Sequence, residues 1–237
     1  MIYVMSDIHG NLRRFNSIME QIQLQQDDTL YVLGDVVDRH PHGIRILRKI
    51  MAMPNAKMLL GNHEYMMLRA LQEPYEESDL RPDQDWVRFK QHWYRNGGGV
   101  THRHLQLLRK TLRAEIVAYL KALPVSIDIT VNGIPYKLVH AAPPELYAPP
   151  MEPYTSPVHF SVWKRLQGND ALPDGYTMIF GHTPTEYFQN NRPMSLYYAE
   201  RRIGIDCGSG YPEHTGTPFG RLACLRLDDG KVFYSEE

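Results

Sequence analysis

The chain opens on a short apolar run, Ile2 to Met5, that stops at Ser6-Asp7. From Asn11 the spacing turns helical, because Leu12, Phe15, Ile18, Met19 and Ile22 share one face. A second apolar run, Thr29 to Leu33, stops at Gly34-Asp35, and Ile44, Leu47, Ile50 and Met51 form a second helical stripe. A third run, Ala56 to Leu60, stops at Gly61-Asn62-His63. This β-α-β-α-β order predicts parallel strands joined by right-handed crossovers. In such sheets chemistry gathers in the loops beyond the carboxyl ends of the strands. All three runs end in Asp, His or Asn.

Residues 63 to about 122 read as helical, with no convincing strand. Leu105, Leu108, Leu112, Ile116 and Tyr119 make one amphipathic stripe, with Arg103, Arg109, Lys110 and Arg113 largely off it as a solvated face. Between helices lies Trp93-Tyr94-Arg95-Asn96-Gly97-Gly98-Gly99, a loop free to adopt backbone angles barred to other residues. After Leu123-Pro124 the period becomes two: Val125, Ile127, Ile129 and Val131 alternate, Asn132-Gly133 signals a hairpin, and Tyr136 to Val139 returns to end at His140. The proline-rich stretch Ala141 to Pro157 predicts an ordered loop over a cleft. Met178 to Phe180 ends at Gly181-His182; Arg202 to Ile205, Arg221 to Leu227 and Val232 to Tyr234 complete the strands. With no repeat, low-complexity segment or linker, residues 1–237 read as a single α/β domain of two packed sheets with helices outside, carrying a helical insertion at about 64–122.

Composition narrows the class. A chain of 237 residues, 43% hydrophobic and 22% charged, can bury a large core unaided, which excludes a disordered tail, a collagen-like repeat and a disulfide scaffold. Cys207 and Cys224 match no zinc spacing and read as reduced thiols. A net charge of −1 supplies no basic field for nucleic acid or anionic membrane. The first residues lack a basic leader, and no apolar run approaches the ~20 residues that span a bilayer. A cytoplasmic location and, by default, a monomer are expected.

Six side chains stand just past strand ends: Asp7, His9, Asp35, Asn62, His140 and His182. Singly, an Asp there is more often a cap or turn residue, and a His more often satisfies a hydrogen bond. As a set, independent strands deliver them to one edge. Carboxylate, imidazole and amide donors without thiolate suit Mn²⁺, Fe²⁺ or Zn²⁺. A carboxylate able to bridge points to two metals about 3.5–4 Å apart, the arrangement used for in-line attack on phosphorus. His102 and His104, two apart on a helix, do not converge and read as surface. Tyr147 and Tyr154 in the proline-rich loop could line the cleft.

Ser6-Asp7-Ile8-His9-Gly10, Gly34-Asp35-Val36-Val37-Asp38-Arg39, Gly61-Asn62-His63-Glu64, Val139-His140-Ala141 and Gly181-His182-Thr183 resemble, in order, the motifs of the metallophosphoesterases. Trp93 with Asn96-Gly97-Gly98-Gly99, Trp163-Lys164-Arg165 and Ile205-Asp206-Cys207-Gly208 narrow the resemblance to the phosphoprotein phosphatase branch in its short bacterial and phage form. It runs from about residue 2 to residue 227. It implies a four-layer α-β-β-α sandwich and two divalent ions, Mn²⁺ first, with iron or zinc as alternatives. Asp7 and His9 would hold the first metal, Asp35 would bridge, and Asn62, His140 and His182 would hold the second. His63 would be the general acid, oriented by Asp38; Arg39 would grip phosphate, joined by Arg165 and Asn96. Arg165 also reads as a surface charge, and Asp38 as a cap for the helix near residue 42. The chain departs from the family pattern at His40, where Gly is usual, at Ala142, where phage-type relatives often carry an acid, and at Cys207, where Thr is usual.

The resemblance implies hydrolysis of phosphoserine or phosphothreonine in proteins, and of phosphotyrosine as an extension, by a hydroxide shared between the metals. Asp38 and Glu64 tilt the reading toward protein substrates. The alternative is a symmetrical dinucleoside tetraphosphate hydrolase, which shares most of the motifs. A nuclease fits less well, because Gly181-His182 continues Thr183-Pro184 rather than reaching a second His. An inert binding module fits least, because every implied ligand is present.

Overall fold

In a computed structural model, described over residues 1–73, 86–167, 170–212 and 220–236, the first apolar run forms β1 (Ile2–Met5) and the helical stripe α1 (Leu12–Ile22). Asn11 caps α1 by accepting from the Arg14 amide at 3.1 Å, and Phe15, Ile18 and Ile22 are its buried face. β2 (Thr29–Val32), α2 (Gly43–Met51), β3 (Ala56–Met58) and α3 (Asn62–Ala70) follow as the periodicity predicts. Next come α4 (Trp86–Arg95), α5 (Gly99–Leu107) and α6 (Lys110–Lys121). The rest is β4 (Ser126–Val131), β5 (Ile134–Val139), α7 (Pro157–Trp163), β6 (Thr177–Phe180), β7 (Tyr197–Ala199), β8 (Arg202–Gly204), β9 (Ala223–Arg226) and β10 (Val232–Tyr234).

One five-stranded sheet runs β10-β9-β1-β2-β3, with β1, β2 and β3 parallel; the other runs β4-β5-β6-β8-β7, with β5, β6 and β8 parallel. The alternation within each strand decides the layers. Tyr3, Met5, Leu30 and Val32 face the core shared with α1, α2 and α3. Their neighbours Val4, Tyr31 and Leu33 face the opposite way, against Leu138 and Ile179 of the second sheet. The outer face of that sheet, through Val139, Met178 and Phe180, packs on Phe160 of α7 and on Tyr147 and Tyr154 of the proline-rich loop. The layers are thus helix, sheet, sheet and helix. No helix among the described residues is long and apolar enough to cross a membrane.

Three readings change. Trp93, Tyr94 and Arg95 close α4 and Gly99 opens α5, so only Asn96, Gly97 and Gly98 remain between the helices. The stripe from Leu105 to Tyr119 belongs to two helices, because Leu108 and Arg109 have extended backbone between α5 and α6. Leu105 and Ile116 still reach the core. The hairpin of β7 and β8 was not legible, since it turns at Glu200-Arg201, with Arg201 at φ 54° and no Gly or Asn to announce it. The portion of the predicted helical insertion at 74–85 lies outside the described residues.

Candidate metal centre

The parallel strands point their carboxyl ends one way, so the loops after β1, β2, β5 and β6, with the start of α3, deliver Asp7, His9, Asp35, His140, His182 and Asn62 to one place. Five of the six are at most 3% exposed and His182 is 7% exposed. Asp7, His9, Asp35 and His182 take φ values of 50–62°, and Asp38 and Arg39 take 71° and 65°. Non-glycine residues seldom occupy this region, and such outliers gather where surrounding structure holds them for a functional reason. Gly34, at φ 92°, lets β2 turn where a Cβ would meet the Gly61 backbone at 2.6 Å.

The imidazoles show what this cluster is suited to hold. His9 Nδ1 lies 3.2 Å from the Val37 carbonyl, which can only accept, so Nδ1 carries the proton and Nε2 an unshared pair. That Nε2 stands 3.7 Å from an Asp35 oxygen and 4.0 Å from an Asp7 oxygen. Burial, reinforced by Arg39, drives the His9 pKa well down, so His9 is neutral. His140 repeats the arrangement: Nδ1 donates to the Leu33 carbonyl at 2.7 Å, leaving Nε2 facing Asn62 Oδ1 at 2.9 Å and Asp35 Oδ1 at 3.5 Å. His182 Nδ1 meets the same Asn62 oxygen at 2.9 Å, and its buried Nε2 has no hydrogen-bond partner among the described residues. Burial likewise keeps His182 neutral. Lone pairs facing carboxylate and amide oxygens repel unless a cation stands between them. The nitrogen and oxygen donors therefore fit divalent cations, and Asp35 belongs to both candidate clusters, with His9 and His63 on one side and His140 and His182 on the other.

The geometric grouping differs from the resemblance in one respect, placing His63 with His9 and Asp35. The partners of His63 explain its position. Its backbone N–H donates to Asp35 Oδ1 at 2.9 Å, its Nδ1 lies 2.8 Å from Asp38 Oδ2, and its Nε2 lies 3.5 Å from Arg39 Nη2. Burial opposes charging of this ring, but Asp35 and Asp38 together outweigh it and hold the pKa above the ordinary value. An imidazole that keeps its proton suits an acid better than a ligand. Asp38 is not the cap of α2, since the cap position is His42 and no side chain makes a capping bond there.

Two supporting residues carry tasks that sequence reasoning missed, although both lie in quoted motifs. Fully buried Glu64 accepts from the amides of Asp35 (2.8 Å), Val36 (2.9 Å), Val37 (3.2 Å) and Gly61 (3.2 Å), holding the loop after β2 in place. Burial, with the nearby Asp35 charge, pushes its pKa up to about 7. Trp93, also fully buried, donates from Nε1 to Asp38 Oδ2 at 2.8 Å, and a Cβ on Gly98 would sit 2.4 Å from its ring. The signal available was that a buried indole N–H needs an acceptor. Trp93→Phe removes this donor from a carboxylate whose other oxygen is already without a partner among the described residues. The expected loss is about 1–3 kcal/mol, seen as a lower urea midpoint at unchanged m; an unaltered midpoint would contradict the role.

Arg39 is exposed, and its backbone is tied to Gly97 at 3.2 Å. Asn96 donates to the His92 carbonyl at 2.9 Å and lines the same recess as Arg39. Arg165 lies one residue beyond the end-capping Lys164 of α7, exposed, with its guanidinium 5.8 Å over the Tyr187 ring and its charge depressing the pKa of His182. His102 and His104 belong to no donor cluster among the described residues. Tyr154, but not Tyr147, lines an apolar cavity of about 410 Å³ with Tyr65, Phe89, His92 and Trp163. Trp163 stands edge-on to His182 at 5.9 Å, so that cavity borders the centre.

Known proteins are similar to this chain in sequence and in fold. The sequence profile of the calcineurin-like phosphoesterases matches residues 1–206. A symmetrical bis(5'-nucleosyl)-tetraphosphatase of Proteus mirabilis (strain HI4320) is 34% identical over 98% of this chain and 96% of its own length. One of the same name from Acidovorax ebreus (strain TPSY) is 30% identical over 50% of this chain, and the match spans about half of that protein (48%). A solved metallophosphoesterase from Sphaerobacter thermophilus superposes with a TM-score of 0.55 at 18% identity, covering 99% of this chain and 87% of that one. With a profile match over most of its length and a cluster of buried donors where the strands end, the chain belongs to the calcineurin-like phosphoesterase family.

Proposed function

We propose that this chain is a divalent-metal-dependent phosphomonoesterase acting on phosphoserine and phosphothreonine side chains of peptides and proteins. Asp7, His9, Asp35, Asn62, His140 and His182 would hold two divalent ions; Mn²⁺, Fe²⁺ and Zn²⁺ all suit these donors, and the resemblance puts Mn²⁺ first. Bound there, the ions would neutralise phosphoryl oxygens and make water a nucleophile near neutral pH. Arg39, joined by Arg165 and Asn96, would orient phosphate oxygens through guanidinium and amide donors. His63 would give its Nε2 proton to the departing oxygen while Asp38 fixes the ring.

The observation that carries the ester reading is the buried His63–Asp38 pair at 2.8 Å. A serine or threonine alkoxide leaves only if protonated, whereas a phosphoanhydride expels a phosphate that is a stable anion at neutral pH. A dedicated acid is thus worth most on an ester. Glu64 does not bear on this choice, since its four hydrogen bonds among the described residues go to backbone amides, and Asp38 bears on it only through His63.

The names of the relatives from Proteus mirabilis and Acidovorax ebreus favour the second reading, hydrolysis of a dinucleoside tetraphosphate. The deciding experiment is phosphate release by Mn²⁺-loaded protein from a phosphothreonine peptide and from diadenosine tetraphosphate at equal concentration. Faster turnover of the peptide is expected; preference for the dinucleotide would replace the first reading with the second.

A further inference from the structure

Arg39 belongs to two places. Its Nη2 lies 3.5 Å from His63 Nε2, and the same side chain lines a recess of about 520 Å³ together with His40, Arg95, Asn96 and Tyr211. No carboxylate is among its lining residues that the structure describes. Arg39 and Arg95 are both exposed, and neither has an ion-pair partner among the described residues. In a chain of net charge −1, two arginines that line one recess without an ion-pair partner among the described residues are a local excess that attracts an anion.

The wall between the recess and the metal centre is built from glycine. A Cβ on Gly210 would stand 2.7 Å from Arg39 Nη1 and 2.4 Å from the His9 ring, and one on Gly97 would meet Arg39 at 3.0–3.1 Å. Backbone alone therefore fits there, leaving the guanidinium between the two spaces. Two further contacts fix this wall. Buried Arg14 donates to the Ser209 carbonyl at 2.8 Å, and Ser209 Oγ donates to the Ile8 carbonyl at 3.2 Å. His40, the residue that departs from the usual Gly, is held by its amide to the His9 carbonyl at 3.1 Å and is among the residues that line the recess.

We propose that this recess binds a second phosphoryl group of the substrate, not the one hydrolysed, through Arg95 and His40 with Arg39 shared between the two groups. The inference rests on the phosphoesterase reading of the adjacent centre. The second group has two sources with one chemistry: a neighbouring phosphorylated side chain of the same peptide, or the next unit of a polyphosphate chain. Guanidinium forks match either.

The test uses Mn²⁺-loaded protein and its Arg95→Ala and Arg95→Lys variants. Substrates are a singly phosphorylated threonine peptide, the same peptide with a second phosphothreonine two residues away, and diadenosine tetraphosphate; p-nitrophenyl phosphate reports the centre itself. Calorimetry compares imidodiphosphate with orthophosphate. Arg95→Ala is expected to lower kcat/KM, through KM, about tenfold further on a two-phosphoryl substrate than on the singly phosphorylated peptide, with Lys recovering part of the loss. Imidodiphosphate affinity falls in parallel. Which two-phosphoryl substrate shows the loss identifies the source. Equal losses on all substrates, or imidodiphosphate affinity indifferent to Arg95, would overturn the subsite. If p-nitrophenyl phosphate is not turned over, the phosphoesterase reading fails, and the calorimetry still decides whether the recess takes a second phosphoryl group.

Discussion

Asp35→Asn is expected to abolish turnover, by more than about a thousandfold, while the protein keeps its fold. The argument is positional. Asp35 Oδ2 lies 3.7 Å from His9 Nε2, and Oδ1 lies 3.5 Å from His140 Nε2, so one carboxylate faces both clusters of imidazoles. Burial opposes its ionisation, yet the charge on His63 and the N–H that His63 donates counter it, and the pKa lies below the usual carboxylate range. Asparagine keeps the shape and can still accept from the His63 amide through its carbonyl oxygen. It removes the charge and turns the other position into a donor, which cannot ligate a cation. Manganese content after desalting should fall along with phosphate release, and the far-ultraviolet circular dichroism should not change. Full activity in the variant would sink the bridging role.

His63→Asn separates chemistry from binding, and its size should depend on the substrate. General acid catalysis contributes about 10²–10⁴-fold where the leaving group needs a proton. The loss in kcat should approach that range on a phosphothreonine peptide and stay below about tenfold on p-nitrophenyl phosphate, whose phenolate leaves unaided. Metal content should hold, because the proposed ligand sets do not include His63. Equal losses on both substrates would remove His63 from the acid role. Loss of manganese would instead make it a ligand, as its place beside His9 and Asp35 would then require.

The sequence made the site legible because the fold is simple where it matters. Each apolar run that becomes β1, β2, β5 or β6 stops at the residue pair that carries chemistry, and parallel pairing sends those stops to one edge. The run before Asn62 does the same through the start of α3. What the pattern could not show lies in backbone angles and in partners distant along the chain. Nothing in the composition of Ser6-Asp7-Ile8-His9 announces positive φ at Asp7 and His9. The bond from Trp93 to Asp38 spans 55 positions, and Glu64 reaches back to amides 27–29 positions earlier. Arg95 and His40 become neighbours of one recess only after Gly97 and Gly210 bring their loops against Arg39. The β7–β8 hairpin escaped for a different reason, since Glu200 and Arg201 hold a turn that their side chains do not favour.

The most direct test of the account is a crystal of the protein grown with Mn²⁺, with an anomalous difference map collected at the manganese edge. The account predicts two peaks about 3.5–4 Å apart with the Asp35 carboxylate between them, one also touching Asp7 and His9 and the other Asn62, His140 and His182. A single peak, or peaks away from Asp35, would contradict the two-metal centre on which every step above depends.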